Sequence, residues 1–302
     1  MHIERFGEPT TALGECPVWH DGRLWLMDCR AGLVMALAAD GTVRHRFAVP
    51  APAGCFAFQA DGRIVVALKE SIVLLDPNPD PAPEPRQPGK PPSLRTLARI
   101  DVSHPDVRLN DGCALPDGSF VVGTMHVGRA PGEAPRGGLY RLAPDLRLQR
   151  IAPALGVANG PGVHPATGRF HIADSAERVI WSFALGEAGA LTDRQVFVRT
   201  DALDSGPDGC CFDDDGGLWT ALVRAGALAR FDTAGRLTDR IPLPLTHPTA
   251  LCFGGPGRDV IYLTSIRDSG RLRADGPLDG AVLAITGSGF RGPARPVCRL
   301  RV

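Results

Sequence analysis

The sequence predicts an all-β protein, a six-bladed β-propeller, from three observations: a turn phrase that recurs, an apolar phrase that trails each copy, and the lack of a long amphipathic helix. The turn phrase places Asp-Gly or a similar pair before apolar residues, as in Asp21-Gly22. Such a pair favours a tight hairpin, because glycine accepts the positive φ that hairpin turns need. Copies of the turn phrase lie at residues 21–25, 61–65, 117–121, 167–171, 215–219 and 257–261.

The trailing apolar phrase supplies a further strand in each repeat. The spacing of the copies, roughly 40 to 55 residues, matches the period of propeller blades. A sandwich or a jelly roll is the competing interpretation, but neither explains repeated copies of one phrase. Copies of the trailing phrase lie at residues 34–37, 72–75, 139–142, 180–183, 229–232 and 282–285.

We therefore predict one propeller domain over residues 1–302, with a proline-rich surface loop inserted at 76–93. This stretch holds eight prolines between Pro77 and Pro92. Proline has no backbone N–H to donate to a sheet, so the stretch is expected to be an extended loop. A proline-rich docking ligand is the functional alternative.

Charge and cysteine usage narrow the function classes. The chain has 33 Lys and Arg against 33 Asp and Glu, so nothing suggests a nucleic-acid or membrane partner. A small-molecule partner is expected, with the protein a monomer or a small homo-oligomer. The eight cysteines include no C-x-x-C pair and are expected to be reduced, mostly buried thiols.

The first residues of the sequence show no signal-peptide pattern, and no stretch of the sequence is long and apolar enough to span a bilayer. These two observations predict a cytoplasmic protein.

Three oxygen-bearing residues, each beside glycine or proline, are the strongest candidates for a site: Glu15, Asn159 and Asp208. The inner strand ends of a propeller crowd the central channel, so side chains distant in sequence converge there. Carboxylate and amide oxygens are ligands that suit a hard divalent cation. Taken singly, Asn159-Gly160 and Asp208-Gly209 are also ordinary turn formers, and Glu15 is also explained as a surface acid.

Other polar residues lie at similar positions. Arg108, Asn110 and Asp111 precede an apolar run, although Arg108 alone is also a solvated charge and Asp111 an ordinary turn residue. Asp174 follows an apolar pair and is interpreted as a structural tie between strands. The chain lacks the G-x-S-x-G, H-E-x-x-H, P-loop and G-x-G-x-x-G motifs, and none of its histidine pairs has helical ligand spacing. A histidine-based zinc site is therefore not expected.

The order of these motifs along almost the whole chain resembles the SMP-30/gluconolactonase/luciferin-regenerating-enzyme family, which includes regucalcin and bacterial sugar lactonases. Each motif is weak alone, but their shared order is specific. The motifs that carry the resemblance are Gly14-Glu15-Cys16-Pro17-Val18-Trp19, Arg108-Leu109-Asn110-Asp111-Gly112, Gly123-Thr124-Met125, Gly138-Leu139-Tyr140, Asn159-Gly160, Pro207-Asp208-Gly209, Gly217-Leu218-Trp219, Cys252-Phe253-Gly254-Gly255 and Gly280-Ala281-Val282.

The resemblance implies a six-bladed propeller with one divalent metal, its identity open among Ca, Zn, Mn, Mg and Fe(II). It implies Glu15, Asn159 and Asp208 as the metal ligands, and Arg108 and Asn110 as contacts to the substrate or to metal-bound water. Family members commonly have an acid soon after Gly-Thr-Met, where this chain has His126. The substrate contact at this place is open between His126, which alternatively packs near the channel, and Glu133, which is alternatively an exposed loop residue.

The implied activity is metal-dependent hydrolysis of a sugar lactone such as gluconolactone, xylonolactone or arabinolactone. In this hypothesis the metal polarises the lactone carbonyl, Asp208 is the catalytic base toward water, and Arg108 and Asn110 bind the substrate. A same-fold hydrolase of phosphotriesters, aryl esters or homoserine lactones is one alternative. A non-enzymatic calcium-binding propeller is another, because a fold alone does not imply catalysis.

Overall fold

The structure, a computed structural model, describes residues 1–77 and 93–302. The proline-rich stretch falls largely on residues 78–92 and so lies outside the described residues. Two short 3-10 turns, Glu187–Gly189 and Asp201–Leu203, are the helical elements among the described residues, and neither has the length and apolar character that a membrane crossing requires. The strands are β1 (His2–Thr10), β2 (Gly14–His20), β3 (Arg23–Asp28), β4 (Leu33–Leu37), β5 (Val43–Ala48), β6 (Cys55–Phe58), β7 (Ile64–Ala67), β8 (Ser71–Leu75), β9 (Leu94–Arg99), β10 (Val107–Ala114), β11 (Phe120–His126), β12 (Gly138–Leu142), β13 (Leu148–Pro153), β14 (Ala158–Val163), β15 (Phe170–Asp174), β16 (Val179–Leu185), β17 (Leu191–Arg199), β18 (Pro207–Phe212), β19 (Leu218–Leu222), β20 (Ala227–Phe231), β21 (Leu237–Pro242), β22 (Pro248–Gly254), β23 (Val260–Ser265) and β24 (Ala281–Thr286).

These strands form six four-stranded antiparallel sheets, which confirms the predicted six-bladed propeller. Five blades are consecutive in sequence: blade I is β2–β5, blade II β6–β9, blade III β10–β13, blade IV β14–β17 and blade V β18–β21. Blade VI combines β22, β23 and β24 with the N-terminal strand β1, which pairs with β24. The two ends of the chain therefore close the ring.

Each copy of the turn phrase joins the first and second strands of one blade, as predicted. Gly22, Gly62 and Gly118 have φ values of 70°, 87° and 85°, in the left-handed region that glycine accepts. An apolar residue just after each turn is fully buried and gives every blade the same core position. These residues are Leu24, Ile64, Phe120, Phe170, Leu218 and Ile261, all 0% exposed.

The innermost strands contact one another in a closed ring around the channel. Glycine allows several of these approaches, because there is no room for a Cβ. A Cβ on Gly160 of blade IV would lie 2.3 Å from Cys210 N of blade V, and one on Gly54 of blade II would lie 2.3 Å from Asn110 O of blade III. The remaining approaches are Asp111 to Gly160 between blades III and IV, Gly209 to Ala250 between V and VI, Thr249 to Gly14 between VI and I, and Cys16 to Phe56 between I and II.

The C-terminal segment, residues 287–302, runs along the end of the propeller that carries the hairpin turns between the first and second strands of the blades. Its backbone forms hydrogen bonds with the turn regions of three blades: Asp214 N donates to Arg291 O, Cys298 N donates to Phe58 O, and Arg299 N donates to Gly118 O, each at 2.7 Å. The turns lie at the ends of the inner strands opposite to the ends that carry Glu15 and Arg108. The segment therefore leaves that second end of the channel free for a site.

Candidate metal and substrate site

Five of the six innermost strands contain a β-bulge, and four of these bulges lie at polar residues that the sequence analysis selected. The pairing of β2 with β3 shifts between Glu15 and Val18, and that of β14 with β15 shifts between Asn159 and Gly162. A bulge inserts an unpaired residue, bends the strand and re-aims its side chains. The other shifts fall between Leu109 and Gly112, between Pro207 and Cys210, and between Pro248 and Leu251.

Asn159 is held by hydrogen bonds that connect three blades. Asn110 Nδ2 of blade III donates to Asn159 Oδ1 at 2.7 Å and to Ala158 O at 2.9 Å. Asn159 Nδ2 in turn donates to Ser175 Oγ at 2.9 Å, and Ser175 Oγ donates to Pro207 O at 2.6 Å, beside Asp208 of blade V. This chain of hydrogen bonds fixes which way the Asn159 amide points.

Asp208 is buried, at 7% exposure, and its Oδ1 atom has no hydrogen-bond partner within the described structure. Burial raises the pKa of this carboxyl well above its usual range, and the charge of Asp111 raises it further. An unpartnered buried carboxylate oxygen is costly. It is therefore a position that a cation, a water molecule or a substrate group would satisfy.

Glu15 lies close enough to these carboxylates to be affected by them. Burial is the first cause that raises the pKa of Glu15 well above its usual range, followed by the charges of Asp208 and Asp111, while Arg108 opposes the shift. Arg108 is partly buried, and its Nη1 donates to Leu109 O at 3.0 Å. The structure thus brings Glu15, Asn159 and Asp208 together with Arg108 and Asn110 at one end of the channel.

Asp111 is not an ordinary turn residue, one of the two interpretations left open above. It lies within β10, where its carboxylate accepts hydrogen bonds from Gly160 N at 2.7 Å and from Gly112 N at 2.8 Å. Burial raises the pKa of Asp111, and these two N–H donors oppose the rise. Asp111 therefore joins blades III and IV, and its charge acts on Glu15 and Asp208.

These side chains suit a hard cation. Glu15, Asn159 and Asp208 offer carboxylate and amide oxygens, the donor types that Ca²⁺, Mg²⁺ and Mn²⁺ prefer. Within residues 1–77 and 93–302, no group of three or more His, Cys, Asp and Glu side chains is arranged to hold a metal. The candidate ligand set differs from such a group because one of its members is an asparagine. The unpartnered Asp208 Oδ1 is the structural observation that favours the fit.

His126 and Glu133, at this end of blade III, differ in burial and in their hydrogen-bond partners. His126 is 5% exposed, with Nδ1 unpartnered, and its ring meets that of His104 edge-on at 5.6 Å between centroids. Glu133 is half-exposed, accepts a hydrogen bond from Ala130 N at 3.2 Å and lies 3.6 Å from Arg136. The unpartnered His126 atom favours this residue as a substrate contact.

Asp174 ties strands together, as the sequence analysis predicted. Its carboxylate accepts hydrogen bonds from Gly156 N at 2.8 Å and from Val157 N at 3.1 Å, just before β14. Sequence reasoning missed Ser175, the residue after it, because a single serine at the end of a strand has no distinguishing pattern. Only the fold shows that this serine lies between Asn159 and Pro207.

The eight cysteines are free thiols, as expected. Five are buried and three are partly buried. Burial raises the pKa of Cys252 to about 11 and that of Cys113 and Cys210 to about 12, so the thiolate form is disfavoured at each. None of these thiols is suited to act as a nucleophile near neutral pH.

The fold and this group of side chains define a class of protein: a six-bladed propeller with oxygen-bearing side chains at one end of its channel. The chain belongs to the SMP-30/gluconolactonase/LRE-like family, whose characteristic region matches residues 13–267. This confirms the resemblance seen in the sequence. The match includes the segments that contain all the site residues discussed above.

Curated relatives match most of the chain. A 6-deoxy-6-sulfogluconolactonase of Pseudomonas putida is 34% identical over 281 residues, which is 91% of this chain and 91% of the relative. An L-arabinolactonase of Azospirillum brasilense is 32% identical over 280 residues, covering 89% and 87%. Regucalcin of Xenopus laevis is 28% identical over 302 residues, covering 97% of each chain.

Solved structures agree on the fold. A luciferin-regenerating enzyme superposes with a TM-score of 0.85 at 23% identity, covering 99% of both chains. A calcium-binding protein named regucalcin, from Agrobacterium tumefaciens, superposes with a TM-score of 0.84 at 23% identity, covering 98% of this chain and 97% of the other. At this identity the likeness concerns the propeller alone.

Proposed function

We propose that the protein is a metal-dependent sugar lactonase, which hydrolyses the internal ester of an aldonolactone to the free acid. Two relatives above 30% identity bear lactonase names, one for a sulfogluconolactone and one for L-arabinolactone. The observation that carries the proposal is the buried, unpartnered Asp208 Oδ1 beside Glu15 and the oriented amide of Asn159. A site built in this way offers several oxygen atoms that can coordinate a cation.

Glu15, Asn159 and Asp208 would hold the metal. When bound, a divalent cation supplies Lewis-acid stabilisation of the charge that develops on the lactone carbonyl oxygen. Asp208 would accept a proton from the attacking water as the water oxygen bonds to the carbonyl carbon. The ring C–O bond then breaks, and the ring oxygen takes up a proton to become a hydroxyl group. Metal ligation lowers the basicity of a carboxylate, so Asp208 would be a modest base, and a bound cation would also acidify the attacking water.

Arg108 and Asn110 would position the substrate. Arg108 is a fixed cation next to Glu15, and its guanidinium donors suit the oxygens of a sugar ring or the developing charge. Asn110 Nδ2 is already committed to Asn159 and Ala158, so its Oδ1 remains to accept a hydrogen bond from a substrate hydroxyl. Asn110 therefore orients Asn159 as well as the proposed substrate. His126 Nδ1 offers one more contact.

A screen of lactones with metal-stripped protein tests the proposal. Acid release from gluconolactone, xylonolactone and arabinolactone is followed before and after Ca, Zn, Mn, Mg or Fe(II) is added. We expect at least one lactone to be hydrolysed, only with metal, and the Asp208→Asn variant to lose about 10²–10⁴-fold in kcat/KM. Binding of a metal without hydrolysis of any lactone would favour a calcium-binding propeller, as the Agrobacterium tumefaciens regucalcin is described.

A further inference from the structure

Two of the loops at the site end come from blades on opposite sides of the ring. Residues 127–137 follow β11 of blade III, and residues 266–280 join β23 to β24 of blade VI. The ring order established above places three steps between blades III and VI in either direction. A contact between these loops must therefore pass over the channel mouth.

Arg271 brings the two loops into this contact. Its Nη2 atom lies 3.6 Å from the position that a Cβ would take on Gly128, two residues after His126. The guanidinium of a blade VI residue is thus placed beside the blade III loop, next to the proposed substrate contact. Gly128 has a φ of 74°, so the backbone there favours glycine and leaves the space open.

We propose that Arg271 recognises an anionic substituent on the lactone, so that the preferred substrates are aldonolactones with an acidic group at the end remote from the ester. This inference rests on the proposed function. The ester would face the carboxylates and the metal deeper in the channel, and the acidic group would face the mouth. A carboxylate, a phosphate or a sulfonate has the oxygen geometry that a guanidinium binds in bidentate fashion.

The turn that carries Arg271 is held by several hydrogen bonds. Ser269 Oγ accepts hydrogen bonds from Leu272 N at 2.9 Å and from Arg271 N at 3.3 Å, while Asp268 pairs across the hairpin with Arg273. Gly270 N donates to Asp268 Oδ1 at 2.8 Å. These contacts limit the conformations of the tip, so that less entropy is lost when Arg271 binds an anion.

The turn is also joined to blade I. Arg30 Nη1 of blade I lies 2.9 Å from Asp268 Oδ1, and Arg267 N and Asp268 N donate to Ala12 O at 3.0 Å and 2.9 Å. Ala12 lies just before β2, the strand that carries Glu15. The position of Arg271 over the mouth is therefore linked to the position of a proposed metal ligand.

The charge of Arg271 is not neutralised by an ion pair among the described residues. Its side chain is exposed, and it forms no ion pair with any side chain that the structure describes. Other charged residues of the two loops form ion pairs: Asp268 with Arg30 and Arg273, Arg129 with Glu177 at 3.1 Å, and Arg136 with Glu133 at 3.6 Å. Arg108, deeper in the site, interacts with Glu15. Arg271 therefore supplies a positive charge at the mouth that a substrate group can use.

The ratio of kcat/KM for an anionic lactone to that for neutral gluconolactone tests the proposal. Gluconolactone is compared with its counterparts that carry a terminal carboxylate, phosphate or sulfonate, so the three arms also tell which acidic group is preferred. We expect the wild-type ratio to exceed one for at least one anion. Arg271→Gln should lower that ratio about tenfold, Arg271→Lys should lower it less, and added salt should lower the wild-type ratio.

Arg273→Gln is the matched control, since Arg273 belongs to the same hairpin but its charge faces Asp268 at 3.5 Å. It should leave the ratio unchanged. If Arg271 had only a structural role, Arg271→Gln would lower hydrolysis of neutral and anionic lactones equally. That result would overturn the inference, and so would a wild-type ratio of one or less for all three anions. Either result would leave the lactonase proposal intact. Failure to hydrolyse any lactone would overturn both.

Discussion

Ser175 shows how one residue outside the proposed ligand set shapes the site. Its hydroxyl accepts from Asn159 Nδ2 and donates to Pro207 O, so it joins the segments that carry two proposed ligands. Neither bond involves the atoms proposed to contact metal or substrate. Ser175 is therefore a positioning residue, and its effect should appear in function more than in stability.

Replacing Ser175 by alanine should lower kcat/KM for the lactone about tenfold, because the Asn159 amide loses the group that orients it. The free energy of unfolding should fall by only about 1–2 kcal/mol, the usual effect of losing a buried hydrogen bond. Ser182→Ala is the matched control: Ser182 is 5% exposed in the same blade and accepts a hydrogen bond from Arg169 Nε at 2.8 Å. Equal activity losses in the two variants, measured with denaturation curves alongside, would contradict this role.

The cysteines give a second prediction for single residues. Because burial raises the pKa of Cys252 to about 11 and of Cys113 and Cys210 to about 12, little thiolate is present at pH 8 in the folded protein. An aromatic disulfide reagent should therefore react much more slowly with native protein than with protein in denaturant, where all eight thiols become available. Equal rates in the two states, followed by absorbance, would contradict the burial of these groups.

Among the structural elements, the innermost strands define the site. Their bulges and close approaches direct polar side chains from blades I, III, IV and V to one end of the channel. Strand β6 of blade II has no bulge, and its residues, Cys55–Phe58, are all buried and apolar. Blade II thus contributes packing to the site rather than a ligand.

Gly160→Ala should strongly destabilise the protein. Gly160 has a φ of 54°, and an added Cβ would lie 2.3 Å from Cys210 N, so both backbone strain and a steric clash are expected. Gly168→Ala is the matched control, because Gly168 has a φ of 68° but no atom within 4 Å of an added Cβ. We expect Gly168→Ala to cost about 1 kcal/mol and Gly160→Ala clearly more. Equal free energies of unfolding would show that the blade IV–blade V contact is not tight.

The blades could be predicted from the sequence because their signals are local. An Asp-Gly pair before apolar residues specifies a hairpin without knowledge of the rest of the chain, as at Asp61-Gly62 and Asp117-Gly118. The proposed ligands could be selected because three oxygen-bearing residues stand beside glycine or proline and fit a family motif. Local patterns were sufficient for the blades, whereas the three ligands they select are a proposal.

The remaining features depend on contacts between blades and have no local signal. Asp111 could not be told from a turn residue until its carboxylate was seen to accept the Gly160 N–H. The hydrogen bond of Ser175 to Pro207 and the approach of Arg271 to Gly128 likewise join residues from different blades. The pairing of β1 with β24 within blade VI joins residues far apart in sequence, and neither strand alone indicates its partner.

At the scale of the whole molecule, ring closure depends on the N-terminal strand. Strand β1 is the outer strand of blade VI and pairs with β24 from His2–Thr286 onward. Removing it would leave β24 as an unpaired edge, with backbone N–H and C=O groups exposed. The whole ring, and with it the site at its centre, therefore depends on a strand that carries no site residue.

A protein lacking residues 1–10 should have a Tm lower by roughly 10 °C or more, because a whole strand and its packing are lost. Removal of Met1 alone, which lies outside β1 and is 66% exposed, is the control and should leave the Tm unchanged. Calorimetry of the two truncated proteins provides the measurement. A wild-type Tm in the protein that lacks residues 1–10 would show that β1 does not hold the ring closed.

We propose that Glu15, Asn159 and Asp208 share one metal ion. Anomalous diffraction from crystals grown with Mn²⁺ would locate such an ion. We expect a single strong peak within about 2.0–2.6 Å of an oxygen from each of the three side chains, and loss of this peak in the Asp208→Asn variant. A peak elsewhere, or no peak at this end of the channel at saturating Mn²⁺, would contradict it.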